Sequence, residues 1–208
     1  MTTGNPKLVE CPYCGAEKKL MTLNSGNTCG AEYWSDGKMI ASMLPKLSPV
    51  QKCPQCGKYY IEYKQKYRLI DGFSLERGEM PFEDWRKAYL QFQTEEIEDE
   101  EMMNIRYWLV QSFNDTFYRN EDEQVKQTAD DYTFIKEIIK LFIESFERMQ
   151  DHSPMLIAEF YREANEMEKC ADVLNSINYD ELKDHEKVIY DGINTRMKQG
   201  ITEVFRFM

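Results

Sequence analysis

The chain has 208 residues, with 26 Lys and Arg against 37 Asp and Glu, and a formal net charge of −11 at pH 7. Its length accommodates one large or two small domains. The acidic balance argues against a general polyanion-binding protein, because negative charge repels phosphates at long range. No run of about 18 apolar residues is present, and no signal-peptide core follows Met1, so neither a membrane-spanning protein nor an exported one is expected.

Charge and composition change along the chain. Residues 1–72 carry ten Lys and Arg against six Asp and Glu, whereas residues 73–208 carry sixteen against thirty-one. Turn residues and five of the six cysteines lie in the first part, and the second part is rich in Glu and Met. A shift of this kind predicts a domain boundary near Gly72 to Gly78, with a first domain over residues 1–72 and an acidic helical domain over residues 79–208.

The first predicted elements are strands. Lys18 to Leu23 is followed by Asn24-Ser25-Gly26-Asn27, whose residues tolerate positive φ in a turn. A second strand is predicted over Thr28 to Trp34. Ser35-Asp36-Gly37 then predicts a hairpin turn, because Asp-Gly suits the central positions of a type I′ turn.

A further strand is predicted over Lys58 to Arg68, because aromatic and basic residues alternate there with a period of two. Its apolar face carries Tyr59, Ile61, Tyr63 and Tyr67. Its mainly basic face carries Lys58, Tyr60, Lys64, Lys66 and Arg68.

Beyond Pro81 apolar residues recur every three or four positions, which predicts about six helices in antiparallel pairs. Thr128 with Asp131 predicts a capping box, and Ser153 with Pro154 predicts a second helix start. Asn165 is a predicted helix end. The apolar stripes are Phe82, Trp85, Tyr89 and Phe92; Met102, Ile105, Leu109, Phe113 and Phe117; Phe134, Ile135, Ile138, Ile139, Phe142 and Phe146; and Ile189, Ile193, Met197, Ile201 and Phe205. A short helix is predicted over Met167 to Ile177.

Two short segments carry the strongest indication of chemistry. Cys11-Pro12-Tyr13-Cys14-Gly15 and Cys53-Pro54-Gln55-Cys56-Gly57 share one pattern of Cys, Pro, any residue, Cys and Gly. Proline fixes φ within the turn, and the glycine lets the backbone fold back toward sulfur. Two turns that each present a pair of thiolates supply the four tetrahedral ligands that structural zinc requires.

On these residues the chain resembles the zinc-ribbon proteins and, more loosely, the rubredoxins, over residues 11–67. The resemblance implies a small antiparallel sheet with the metal at one end, held by Cys11, Cys14, Cys53 and Cys56. Ser25 to Thr28 and Trp34 to Lys38 also resemble segments of uncharacterised bacterial zinc-ribbon proteins, which implies no activity.

Alternatives to structural Zn²⁺ are an iron site for electron transfer, or disulfide and redox chemistry. A reducing compartment favours metal over disulfides. Cys29 in its predicted strand and Cys170 on its predicted helix are expected to be small buried residues rather than further ligands.

No catalytic constellation is evident in the sequence. His152 and His185 have no neighbouring nucleophile or metal-ligand partner, and the acidic run from Glu95 to Glu101 is expected to be solvated. Gly192 and Gly200 are interpreted as close-packing points on one helix. No enzymatic activity is therefore predicted.

Two binding hypotheses follow. The spacing of Ile157-Ala158, Tyr161, Cys170 and Leu174 resembles the tetratricopeptide repeat, which implies a helical hairpin of a type that binds peptides. Ordinary core packing explains the same spacing. The basic face of the predicted strand favours either contact with DNA or RNA, in which phosphates would meet lysines and Tyr60 would stack on a base, or contact with acidic helices of the same chain.

The sequence as a whole predicts an α+β protein: a zinc ribbon followed by an acidic helical bundle or short solenoid. We expect a cytoplasmic, non-enzymatic adaptor that binds another protein, with no membrane association and no small-molecule substrate. The alternative is a nucleic-acid-associated factor.

Overall fold

The protein has an α+β fold, as predicted, with small antiparallel sheets followed by six helices in the part of the chain described here. The structure is a computed structural model that describes residues 1–76, 78, 80–119, 125–149 and 153–208. Two compact units are present: the N-terminal unit comprises Met1–Ala31 and Ile40–Glu96, and the helical unit comprises Glu32–Met39 and Ile97–Met208. The predicted division into domains 1–72 and 79–208 stays a prediction.

The strands are short and form four small sheets. Two strands pair as β1–β4, three pair in the order β3–β2–β9, and two further pairs are β5–β6 and β7–β8. Their bounds are β1 Thr2–Thr3, β2 Lys7–Glu10, β3 Glu17–Leu20, β4 Leu23–Ser25, β5 Glu32–Tyr33, β6 Met39–Ile40, β7 Val50–Lys52, β8 Tyr59–Ile61 and β9 Tyr67–Leu69.

The prediction of one long strand over Lys58 to Arg68 is wrong. β8 ends at Ile61 and a single 3₁₀ turn, Glu62–Lys64, separates it from β9 in a different sheet. The Glu62 amide still donates to the Pro49 carbonyl at 2.8 Å, in register with β7, but the Gln65 amide then donates to the Glu62 carbonyl at 3.0 Å and closes the turn. The alternation of side chains therefore does not continue across this segment.

The strand predicted over Thr28 to Trp34 is also shorter than expected. Only Glu32–Tyr33 is extended, because the Ala31 amide closes a turn on the Thr28 carbonyl at 3.0 Å. Cys29 lies in this turn and is exposed, so its expected burial in a strand is wrong.

Four of the six described helices, the first, second, third and sixth, coincide with the predicted apolar stripes over most of their length. Phe82, Trp85, Tyr89 and Phe92 are all buried along the first, which belongs to the N-terminal unit. No helix of the described residues is both long enough and apolar enough to cross a membrane. The bounds are α1 Phe82–Phe92, α2 Asp99–Asn114, α3 Ala129–Phe146, α4 Pro154–Glu163, α5 Met167–Ser176 and α6 Asp184–Gln199.

Most predicted helix ends are confirmed. Thr128 and Asp131 form a reciprocal capping box at α3, and the Ser153 side chain accepts from the Leu156 amide at α4. Asn165 follows α4 in the left-handed conformation with φ of 61°. The end of α2 differs, because residues Asp115–Arg119 widen into a π-helix that contains Phe117.

The last helix ends earlier than its apolar stripe predicts. Gly200 has φ of 68° and caps α6, so Ile201 and Phe205 are not helical. Phe205 instead packs back on α6, where a Cβ on Gly192 would lie 2.5 Å from its ring. Gly192 is therefore a close-packing point, as interpreted from the sequence, whereas Gly200 is a helix cap.

Candidate metal centre

Two hairpins of the N-terminal unit present the four cysteines. The turn between β2 and β3 holds Cys11 and Cys14, and the turn between β7 and β8 holds Cys53 and Cys56. Each turn is closed by the same two backbone bonds. The amide of the first cysteine donates to the carbonyl five residues later: Cys11 to the Ala16 carbonyl at 2.9 Å, and Cys53 to the Lys58 carbonyl at 2.8 Å.

The glycine of each turn makes the second matched bond. Gly15 donates to the Cys11 carbonyl at 2.9 Å, and Gly57 donates to the Cys53 carbonyl at 3.1 Å. Their φ angles are 72° and 73°, in the left-handed region that a side chain disfavours. The repeated Cys-Pro-any-Cys-Gly pattern therefore folds into two turns of the same geometry.

The four sulfur atoms converge on one point. All lie within 4.8 Å of one another, as a metal centre requires. The Cys11 and Cys56 sulfurs are 3.8 Å apart, and those of Cys14 and Cys53 are 3.6 Å apart. A regular tetrahedron with Zn–S bonds of about 2.3 Å has sulfur–sulfur edges of about 3.8 Å, so the separations fit a tetrahedral thiolate site. A disulfide would need about 2.05 Å.

The charges of these sulfurs are interdependent. Burial raises the pKa of the Cys53 thiol, but hydrogen bonds from the Cys56 and Gln55 amides outweigh this effect and lower the pKa to about 6. The Ala16 amide lowers the pKa of Cys14, yet desolvation and the neighbouring sulfurs raise it to about 12. One thiolate is thus favoured while further ionisation is opposed. A shared dication removes that opposition.

A small core supports the sulfurs. Cys11 and Cys53 are buried and pack with Val9, Leu20 and Tyr60. Cys14 and Cys56 are exposed. Each turn thus contributes one buried cysteine and one exposed cysteine to the site.

Helix α1 connects to both turns through polar side chains that the sequence did not indicate. The Gln91 side chain accepts a hydrogen bond from the Tyr59 amide at 3.0 Å and donates to the Tyr59 carbonyl at 2.8 Å. It also donates to the Tyr13 hydroxyl at 3.0 Å. Tyr13 donates to Glu95 at 2.8 Å. Glu95, assigned from sequence to a solvated acidic run, is therefore exposed but bonded. Such pairings carry no sequence period, which is why sequence patterning missed them.

Asp84 of α1 makes the second connection. Its carboxylate accepts from Tyr59 at 2.7 Å and from Lys52 at 2.9 Å, beside the Cys53 turn. The hydrogen bonds from these two donors lower the pKa of Asp84 despite its burial. The site thus comprises two hairpins and one helix.

The residues predicted to contact nucleic acid do not share one face. Tyr60 is buried in β8, with 2% of its surface exposed, so its ring is not presented for stacking. Lys58 lies over the Tyr13 ring at 4.6 Å, and Arg68 in β9 pairs with Glu17 at 3.0 Å. Lys64 lies in the 3₁₀ turn, and Lys66 is exposed just before β9.

A buried ionic cluster in the helical unit is a second feature that sequence patterning missed. Asp36, in the predicted Asp-Gly turn, is fully buried and pairs with Arg119. Asn114 donates to Asp36 at 3.0 Å and to Glu163 at 2.9 Å. Glu159 and Arg162 form a neighbouring pair with 0% side-chain exposure. The turn residue Asp36 is therefore an internal charge rather than a surface one.

Four of the five residues that resemble a tetratricopeptide repeat are brought together. Ala158, Cys170 and Leu174 are buried in one cluster, with Tyr161 against it. The expected burial of Cys170 is confirmed. His185 is exposed in the first turn of α6, and His152 lies outside the described residues.

Comparison with protein-family models, with curated proteins and with solved structures finds no match to this chain.

Proposed function

We propose that the protein is a non-enzymatic cytoplasmic adaptor, in which a zinc ribbon holds one structural Zn²⁺ and the helical unit binds another protein. The observation that carries the first part is the convergence of four thiols, presented by two turns of the same geometry, at separations of 3.6 and 3.8 Å. Four protein ligands fill the tetrahedron and leave no position for water or substrate.

Cys11, Cys14, Cys53 and Cys56 would hold the ion. A bound Zn²⁺ supplies the positive charge that keeps all four sulfurs ionised and joins the β2–β3 and β7–β8 hairpins. The chain itself positions the sulfurs through the turn hydrogen bonds and through the contacts that α1 makes with Tyr13 and Tyr59. Iron fits four thiolates equally in geometry, and metal analysis separates the two.

The helical unit offers a groove for a protein partner. A cavity of 170 Å³ lies between α3, α4 and α5. Ile139, Ile143 and Ala164 provide an apolar floor that Tyr161 borders, and lysines lie around it. Apolar grooves between helices with a charged rim are a common site for docking peptides. The lining lysines are Lys136, Lys140 and Lys169.

The tetratricopeptide-like spacing supports the same proposal. It lies on α4 and α5, the two helices that form one side of the groove together with α3 on the other. Thiolate ligands are kept reduced in the cytoplasm, which supports the proposed compartment. Nucleic-acid binding stays a prediction, and no single strand carries the residues predicted for it.

The partner can be tested by capturing proteins on the full-length chain from lysate and mapping the contacts by cross-linking mass spectrometry. Lys140→Glu reverses a charge at the groove, and Lys198→Glu reverses an exposed charge at the end of α6 as a matched control. We expect cross-links to residues of α3 to α5 that Lys140→Glu abolishes and Lys198→Glu retains. Equal loss or equal retention in both variants, or recovery only of nucleic acid released by salt, would overturn the proposed role of the helical unit.

A further inference from the structure

The edge strand β9 carries apolar side chains that the N-terminal unit leaves uncovered. β9 is the terminal strand in the order β3–β2–β9, and all three of its residues are exposed. Tyr67 is 62% exposed and Leu69 61%. Among the described residues, five of the fifteen exposed large apolar side chains fall within residues 63–75, so exposure is concentrated around this edge.

The register shows that these side chains extend a buried face. Tyr67 lies opposite Val9, and Lys7 lies between Leu69 and Leu20. Val9 and Leu20 are buried, at 0% and 3% exposure. Side chains opposite one another across strands share a face of the sheet. The core-facing side of the sheet, which also carries Lys7 and Lys18, therefore continues onto β9 as two exposed apolar side chains.

The backbone of β9 is oriented for a further strand. The Lys66 carbonyl accepts from Glu10 at 3.0 Å and the Ile70 amide donates to Pro6 at 2.9 Å, so even-numbered residues face β2. In an antiparallel ladder the alternate residues direct their amides and carbonyls to the opposite side. Tyr67 and Leu69 consequently direct these groups away from β2.

The opposite face of the same edge is basic. Arg68 lies opposite Leu8, which in turn lies opposite Lys19, and Lys66 precedes the strand; all three cationic residues are exposed. Glu17 neutralises part of this charge through Arg68, and Glu10 also lies on β2. The outermost charges, at Lys66 and Arg68, are positive.

We propose that the outer edge of β9 binds an extended segment of another protein by strand addition, and that this segment alternates apolar with acidic side chains. Its apolar residues would cover Tyr67 and Leu69, and its acidic residues would lie beside Lys66 and Arg68. Backbone hydrogen bonds give affinity in this mode and alternate side chains give specificity. A second copy of β9 is disfavoured, because the antiparallel register that covers both Tyr67 and Leu69 would place Arg68 opposite Arg68 of the second copy.

The proposal goes beyond the adaptor function, because it lies in the N-terminal unit and does not require the groove between α3, α4 and α5. It is tested with the full-length protein and fluorescent octapeptides, followed by anisotropy up to about 1 mM peptide. The probe alternates Val with Glu. The comparison peptides are a scrambled sequence of equal composition, the alternating peptide with N-methyl groups on its pairing edge, and an oligothymidine of equal charge.

We expect the alternating peptide to bind at least about tenfold more tightly than the scrambled and N-methylated peptides. Leu69→Pro removes only an outward amide, which an edge strand tolerates, and should weaken binding by about tenfold or more. Leu69→Thr loses the same apolar side chain but keeps that amide, so it should bind the alternating peptide more tightly than Leu69→Pro does, and thermal unfolding checks that both variants fold.

Three results would overturn the proposal: equal binding of alternating and scrambled peptides, equal binding of the N-methylated peptide, or no binding at about 1 mM. Tighter binding of the oligothymidine would assign the edge to nucleic acid and would overturn it as well. The N-methylated peptide tests the unaltered protein, so the result does not depend on the Pro variant folding.

Discussion

Glu163 in α4 is a carboxyl group enclosed within the helical unit. Burial, followed by the negative charges of Glu159 and Asp36, raises its pKa well above the ordinary value of 4.5, against the opposing effects of Asn114 and Arg162. The folded protein therefore retains a proton that the unfolded chain has released. Stability must fall as the pH rises from 4.5 toward the folded pKa.

Glu163→Gln removes this dependence, because an amide stays neutral and its oxygen can still accept from Asn114. The variant should gain free energy of unfolding relative to the parent, with the gain increasing as the pH rises above 4.5. Urea unfolding at several pH values measures it. The exposed Glu168→Gln on α5 is the control and should change stability little at any pH. A gain that is constant with pH, or a loss at pH 8, would contradict this assignment.

The Asp36–Arg119 pair makes a second prediction about single residues. Asp36 has 0% side-chain exposure and Arg119 has 4%. Among the described residues, Asp36→Ala leaves the buried guanidinium with Asp115 as its remaining carboxylate partner, and should lower the free energy of unfolding by about 3–5 kcal/mol.

The matched control for Asp36→Ala is Glu32→Ala, which breaks the exposed pair with Arg206. Exposed pairs contribute about 0–1 kcal/mol, because water screens them. Denaturant titration of both variants gives the comparison. Similar costs for the two would show that Asp36 is not an internal structural charge.

At the scale of elements, the capping box of α3 provides a local test. The Asp131 amide donates to the Thr128 hydroxyl at 3.2 Å, and the Asp131 carboxylate accepts from the Thr128 amide at 3.1 Å. Thr128→Ala should cost about 1 kcal/mol of stability, because it removes a side-chain acceptor from the helix start.

Thr133→Ala, within the same helix, is the control. Thr133 is exposed and its hydroxyl donates to the Ala129 carbonyl one turn back, and alanine has the higher helix propensity. Equilibrium unfolding should show no loss of stability in this variant. If Thr133→Ala costs as much as Thr128→Ala, the box contributes nothing specific.

The helices were predictable because each buries one stripe, and a stripe has a period that the sequence displays. Phe82 to Phe92 and Thr128 to Phe146 show this directly. The stripe from Ile189 to Phe205 failed at its end, since the glycine that stops α6 at position 200 does not interrupt the apolar spacing. Phe205 fits the apolar spacing, but it lies beyond the end of α6 and packs back against that helix.

The strands were less predictable. Alternation over Lys58 to Arg68 is typical of one strand, but the chain turns at Glu62 and places the two halves in different sheets. Pairing partners distant in sequence decide such breaks. The cysteine turns were predictable because their geometry is local. The hydrogen bonds of Gln91 and Asp84 to them join residues distant in sequence, which no sequence pattern indicates.

At the scale of the whole molecule, the proposed Zn²⁺ would stabilise the two cysteine hairpins and not the helical unit. Chelating it from the intact protein should expose amides of β2, β3, β7 and β8 to hydrogen exchange, because the sulfurs join their two hairpins. Amides of α3 should keep their protection.

Mass spectrometry of exchanged peptides before and after chelation measures this, and reconstitution with Zn²⁺ is the control. Uniform loss of protection throughout the chain, or no change in residues 7–20 and 50–61, would contradict a local structural role.

The most direct measurement is elemental analysis of the purified full-length protein and of single Cys→Ser variants. The account predicts about one zinc per chain and no iron. It also predicts loss of zinc in Cys11→Ser, Cys14→Ser, Cys53→Ser and Cys56→Ser, with retention in Cys29→Ser and Cys170→Ser. Protein free of metal, stoichiometric iron, or zinc that persists in the variants of the four clustered cysteines would contradict it.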